Sequence, residues 1–161
     1  MRIESLIELA SSPKEIMEIS KYIKSFDLDY PNYNKWVEKC KKELESNYKK
    51  AFYYKKDLDI GGVIIFQPHK KEKSILEMKN FRISSVNEKK GIGSLLYNIL
   101  EQYAKKQNFK IIQEDTHNNK MVNFLLKEGF KIIKKETLYS PSQIETILQK
   151  NLRDKNEKWQ L

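Results

Sequence analysis

The sequence predicts a single domain of the α/β (α+β) class over residues 1–161. Three observations predict it. Apolar residues recur at helical spacing up to about residue 45 and then switch to strand patterns. A polar loop ending in Gly91-Ile92-Gly93 joins an apolar strand to a strongly amphipathic helix. Strand and helix patterns then alternate towards the C-terminus. A chain of 161 residues has room for one core.

The elements follow in order. Ser12-Pro13-Lys14-Glu15 is a capping box with Pro at the first helical position. Ile16, Ile19, Tyr22 and Ile23 continue it as a helix over about 13–25. Tyr30-Pro31-Asn32 opens a second helix with the apolar face Trp36, Val37, Cys40 and Leu44. Ala51–Tyr54 reads as a strand, and Lys56–Asp59 as a turn. Ile60–Gln67 has the continuous apolar character of a strand buried on both faces, stopped by Pro68. In the next strand, Ile75–Ile83, Leu76 and Met78 share one face, as do Phe81 and Ile83. The step of three between Met78 and Phe81 breaks the period of two. Either an extra residue near Lys79-Asn80 makes a β-bulge or both faces are half buried. Ile92, Leu95, Leu96, Ile99, Leu100 and Tyr103 then mark a helix ending at Lys105-Lys106. Phe109–Gln113 reads as a strand, 119–128 as a helix capped by Gly129, and Phe130–Ile133 as the start of another strand. The segment from Ile144 to Leu152 fits a helix or a strand.

Composition excludes several classes. No apolar run approaches the ~18–20 residues of a membrane span. The N-terminal MRIESLIELA has an early Glu and lacks a small-residue cleavage site, so no signal peptide is expected. One cysteine, Cys40, excludes an internal disulfide and a Cys-based zinc site. With only His69 and His117 beside it, no structural metal is expected. A cytoplasmic, metal-free protein is the expectation. The net charge of +9 favours an anionic ligand or a solvated lysine surface. Of the 31 basic residues only Arg2, Arg82 and Arg153 are Arg, whereas readers of bases and phosphates favour the Arg fork.

The strand, the loop with Gly-x-Gly and the helix form a phosphate-cradling arrangement. Glycines let the backbone approach an anion, and the first helical turn presents N–H groups towards it. Lys89 and Lys90 add positive charge. The loop lacks the Gly-Lys-Ser/Thr of a Walker loop and the third Gly of a dinucleotide fingerprint.

The wider pattern resembles the GNAT superfamily of N-acetyltransferases. The residues that carry the resemblance are Glu77–Ile83, Glu88–Gly93, Thr116-His117-Asn118 and Phe124–Phe130, within about residues 60–135. The resemblance implies a mixed, mostly antiparallel central sheet with a bulged, splayed middle strand and helices on both faces. It implies acetyl-CoA as co-substrate, without a metal. The pantetheine arm would pair with the backbone of Phe81, Arg82 and Ile83. The pyrophosphate would sit on Glu88, Lys89, Lys90, Gly91, Ile92, Gly93 and Ser94, with further cofactor contacts from Asn118 and Phe124. Leu148-Gln149-Lys150-Asn151-Leu152 is similar to the family's last strand, which decides the C-terminal segment in favour of a strand.

Two departures stand out. Glu88 occupies a position that is usually Gln or Arg, and its carboxylate opposes a pyrophosphate. Leu125 occupies the position of the Tyr that protonates the leaving thiolate in many members. Tyr139 is the candidate substitute, against an ordinary strand-end aromatic. Glu77 is the candidate general base, against a structural carboxylate. Asn118 also suits a helix N-cap, His117 reads as incidental, and Cys40 as core. Asp27, Asp29, Tyr30, Tyr33 and Trp36 are the candidate acceptor-side residues, suited to a cationic amine. The expected function is acetyl transfer from acetyl-CoA to a primary amine, in a monomer or homodimer. Acetylation of an RNA-borne amine and a non-catalytic acyl-CoA-binding module are the alternatives. Nucleic acid ranks behind a small-molecule or protein acceptor.

Overall fold

The computed structural model describes residues 6–26, 28, 30–87 and 90–152. A short strand, β1 (Ile7–Leu9), precedes α1 (Pro13–Lys24) and α2 (Tyr33–Glu45). Strands β2 (Lys50–Lys56), β3 (Asp59–Pro68) and β4 (Ile75–Ile83) follow. A 3-10 turn (Ser85–Asn87) leads on to α3 (Ile92–Lys106). The chain continues through β5 (Ile111–Thr116), α4 (Asn119–Lys127), β6 (Lys131–Glu136) and β7 (Glu145–Asn151). The seven strands form one sheet in the order β1-β2-β3-β4-β5-β7-β6. β1–β2, β2–β3, β5–β7 and β6–β7 pair antiparallel, and β4–β5 pair in parallel from Ile75↔Ile111 to Glu77↔Gln113. No helix among the described residues is long and apolar enough to cross a membrane.

The chain divides into two compact units, residues 1–67 with 78–100 and residues 68–77 with 101–161. In the first unit, Ser12 Oγ accepts from Glu15 N while Glu15 Oε1 accepts from Ser12 N, so the capping box closes in both directions. This fixes the start of α1, whose Ile16, Ile19 and Ile23 pack with Val37, Cys40 and Leu44 of α2. Ala51, Tyr53, Val63 and Ile65 complete that core. Burial pushes the Cys40 thiol up to about 12, as suits a core sulfur. Asn32 starts α2 in the left-handed conformation, φ 57°. In β4, Asn80 and Phe81 are buried in succession, both 3% exposed, so both faces of the strand are covered at that point.

In the second unit, β5 begins at Ile111 rather than at the expected Phe109. Asn108 turns left-handed (φ 67°), and Phe109 N donates back to Ala104 O at 2.9 Å. Phe109 is therefore held in the turn that closes α3 rather than in the strand, which extends over Glu114–Thr116 instead. β7 is a strand, and its ladder with β5 is continuous from Ile111↔Asn151 to Thr116↔Thr146. β6 is an edge strand with Lys131, Lys134 and Lys135 exposed and a register shift between Ile132 and Lys134. Lysines and an irregular register both discourage edge-to-edge pairing.

Candidate functional site

The first unit assembles most of the candidate cofactor residues. Ser84 N donates to Gly61 O at 3.0 Å as β4 ends. Asn87, buried in the 3-10 turn, donates from its backbone to Ser84 O at 2.8 Å and from Nδ2 to Gly61 O at 3.5 Å. These bonds tie the start of the loop to β3. Gly91 then takes φ +81°, a conformation that side-chain-bearing residues rarely adopt, and a Cβ there would meet nothing within 4 Å. Leu95 N donates to Gly91 O at 3.0 Å, which makes Gly91 the entry to α3. The amides of Ile92 and Gly93 precede that first helical bond, at the positive end of a 15-residue helix. Ile92 is buried and anchors the turn, whereas Lys90 and Gly91 are exposed. Gly93 and Ser94 are half-buried.

Upstream, Phe81 is buried and Arg82 and Ile83 are half-buried. Arg82 Nη1 donates to Phe81 O at 3.0 Å. Gly62 lies so close to Ile83 that a Cβ would come within 2.8 Å of its Cδ1. Tyr33 stacks on Trp36 at 6.0 Å in the same unit. Glu88 and Lys89, and likewise Asp27 and Asp29, lie outside the described residues.

The second unit holds Glu77, Asn118, Phe124 and Tyr139. Glu77 is half-buried and in register with Gln113. Asn118 caps α4, its Oδ1 accepting from Lys120 N at 2.9 Å and Met121 N at 3.2 Å. Phe124 is half-buried, and the neighbouring Leu125 is completely buried. Tyr139 lies beyond the end of β6 and donates to Asp115 Oδ2 at 2.7 Å. A side-chain pair with no signature in the sequence lies here. His117 Nδ1 sits 3.2 Å from Oε1 of Glu145, which is wholly buried. Burial pushes the Glu145 carboxyl up, and Asp115 adds to this, while His117 acts the other way. Nothing in the local pattern links positions 117 and 145; only the β5–β7 ladder brings them together.

The family model for the acetyltransferase (GNAT) domain matches residues 10–143. No curated protein sequence matches the chain. Among solved structures, a GNAT-family protein from Desulfovibrio desulfuricans superposes with a TM-score of 0.78 at 12% identity, covering 91% of this chain and 98% of that one. An aminoglycoside 6'-N-acetyltransferase complexed with coenzyme A gives 0.74 at 15% identity, covering 92% and 98%. The ribosomal-protein-S18-alanine N-acetyltransferase from Escherichia coli gives 0.69 at 13% identity, covering 91% and 94%. The chain belongs to the GNAT acetyltransferase family. It is an acyltransferase of that class, and the fold is the one its structural neighbours share.

Proposed function

We propose that this protein transfers the acetyl group of acetyl-CoA to a primary amine by direct attack. The observation that carries the reading is Gly91, at φ +81° and with open space at its Cβ, at the mouth of α3. A diphosphate suits that place: the helix start offers amide donors and partial positive charge, and Lys90 adds a full one. The aminoglycoside acetyltransferase neighbour, which is complexed with coenzyme A, agrees with this choice of ligand.

In the proposed reaction the amine nitrogen forms a bond to the acetyl carbon while the carbon–sulfur bond breaks. The backbone N–H near Ile83 polarises the carbonyl oxygen. Glu77 takes the ammonium proton, directly or through water. Coenzyme A departs as a thiolate. Thiols ionise near pH ~8.5, so departure needs little help. Tyr139, held by Asp115, is the phenol proposed in place of the absent Tyr at Leu125. Asn118 and Phe124 are proposed as cofactor contacts, as are Glu88 and Lys89.

The test is release of free thiol from acetyl-CoA when primary amines are supplied. Turnover that falls at least tenfold in Glu77→Gln supports both the reaction and the base. Turnover unchanged by that substitution removes Glu77 from the mechanism. No turnover across amines of every charge type contradicts the reading.

A further inference from the structure

Strand β4 carries a polar track on one face. Side chains two apart on a strand point the same way, which aligns Asn80 and Arg82, and Ser84 follows directly after the strand ends. At one end, buried Asn80 donates from Nδ2 to the Tyr33 hydroxyl at 3.3 Å, and Tyr33 donates onward to Ile23 O at 2.7 Å. At the other end, the Ser84 and Tyr22 hydroxyls lie 2.8 Å apart. Arg82 lies between the two ends. Burial pushes both phenols up; the Ser84 and Asn80 hydrogen bonds and the Arg82 guanidinium pull them back. One cation therefore acts on both tyrosines.

Among the described residues, two polar atoms on this track are buried without a hydrogen-bond partner, Asn80 Oδ1 and Arg82 Nε. Buried polar groups in folded proteins are almost always satisfied, so two on one strand face point to a ligand. They are of opposite kinds. Asn80 Oδ1 accepts, and so suits an N–H. Arg82 Nε donates and is charged, and the guanidinium fork suits a carboxylate or phosphate oxygen. Residues two apart on a strand are about 6.6 Å apart, a span that one small molecule bearing both groups can bridge.

We propose that the acceptor is a small primary amine that also carries an anionic oxygen group, with the anion on Arg82 and the amine held by Asn80 Oδ1. This names the acceptor class within the acetyltransferase reading and rests on it. It departs from the cationic acceptor suggested by Asp27 and Asp29.

Paired acceptors on the full-length protein test it, with coenzyme A release as the readout. α-Amino acids and β-alanine are compared with their amides, and O-phosphoethanolamine with ethanolamine. The expected result is at least a tenfold higher kcat/KM for the anionic member of one pair, and which pair responds identifies the anion. Arg82→Gln should abolish that preference, and Arg82→Lys should keep part of it. The wild-type comparison does not depend on how the variants fold. Equal or faster turnover of the neutral members, or no turnover of any member while acetyl-CoA still raises the melting temperature, overturns this inference and leaves cofactor binding intact. Failure of acetyl-CoA to raise the melting temperature removes the acetyltransferase reading and this inference together.

Discussion

Gly61 and Asn87 fit together only because residue 61 has no side chain: a Cβ there would lie 2.5 Å from Asn87 Nδ2. The same glycine's carbonyl accepts from Ser84 N and from Asn87 Nδ2. One residue of β3 thus fixes the start of the loop that leads to Gly91. Gly61→Ala should destabilise the fold by about 1–3 kcal/mol, the usual cost of overpacking. Asn87→Ala in that background should recover part of the loss, because the two changes share one contact. Denaturant unfolding of the single and double variants measures the coupling; strict additivity would show that the contact is not the cause.

The buried carboxyl of Glu145 predicts a pH dependence. Burial raises the Glu145 carboxyl above its usual 4.5, so the fold binds that proton more tightly than the unfolded chain does. The stability this contributes is complete below about pH 4.5 and is lost as pH rises through the higher folded value. Glu145→Gln has no charge to bury. Its melting temperature relative to the wild type should therefore climb as pH rises from 4.5. A constant difference across that range would rule out a buried carboxylate at this position.

The capping box predicts the opposite slope. Burial pushes Glu15 up, but hydrogen bonds from Tyr53, Ser12 and Ser11 outweigh it and hold the carboxyl at about 2. Its contribution is present above the unfolded value of 4.5 and drains away as pH falls towards about 2. Glu15→Gln should flatten that acid limb in thermal melts. Ser12→Ala should cost about 1 kcal/mol at neutral pH. A variant melting profile parallel to the wild type below pH 4.5 would argue against the shift.

Much of this architecture is legible in local pattern. β4 runs over Ile75–Ile83 as the apolar alternation indicates, and Gly91 and Gly129 take the positive φ angles that their positions at helix ends imply. Three other features depend on chain-distant partners. β1 is three residues long and exists through pairing with β2, too short for any period to show. Tyr97 is completely buried although it falls outside the helical stripe read from Ile92 to Tyr103. The unpartnered atoms of Asn80 and Arg82, like the His117–Glu145 pair, arise from tertiary placement that no spacing in the sequence encodes. The candidate site was legible where backbone conformation defines it, at the glycine loop, and not where side chains from separate elements meet.

The most direct measurement is thermal unfolding with millimolar acetyl-CoA, with ATP as control, for the wild type and for Gly91→Val. A ligand at about 100 times its dissociation constant adds ~2.7 kcal/mol of stability. Valine at φ +81° is strained, so the loop must move to accept it. Acetyl-CoA should raise the melting temperature clearly and ATP little, and the acetyl-CoA rise should be lost in Gly91→Val. No rise in the wild type, or an equal rise in both proteins, would contradict the assignment of the cofactor to the mouth of α3.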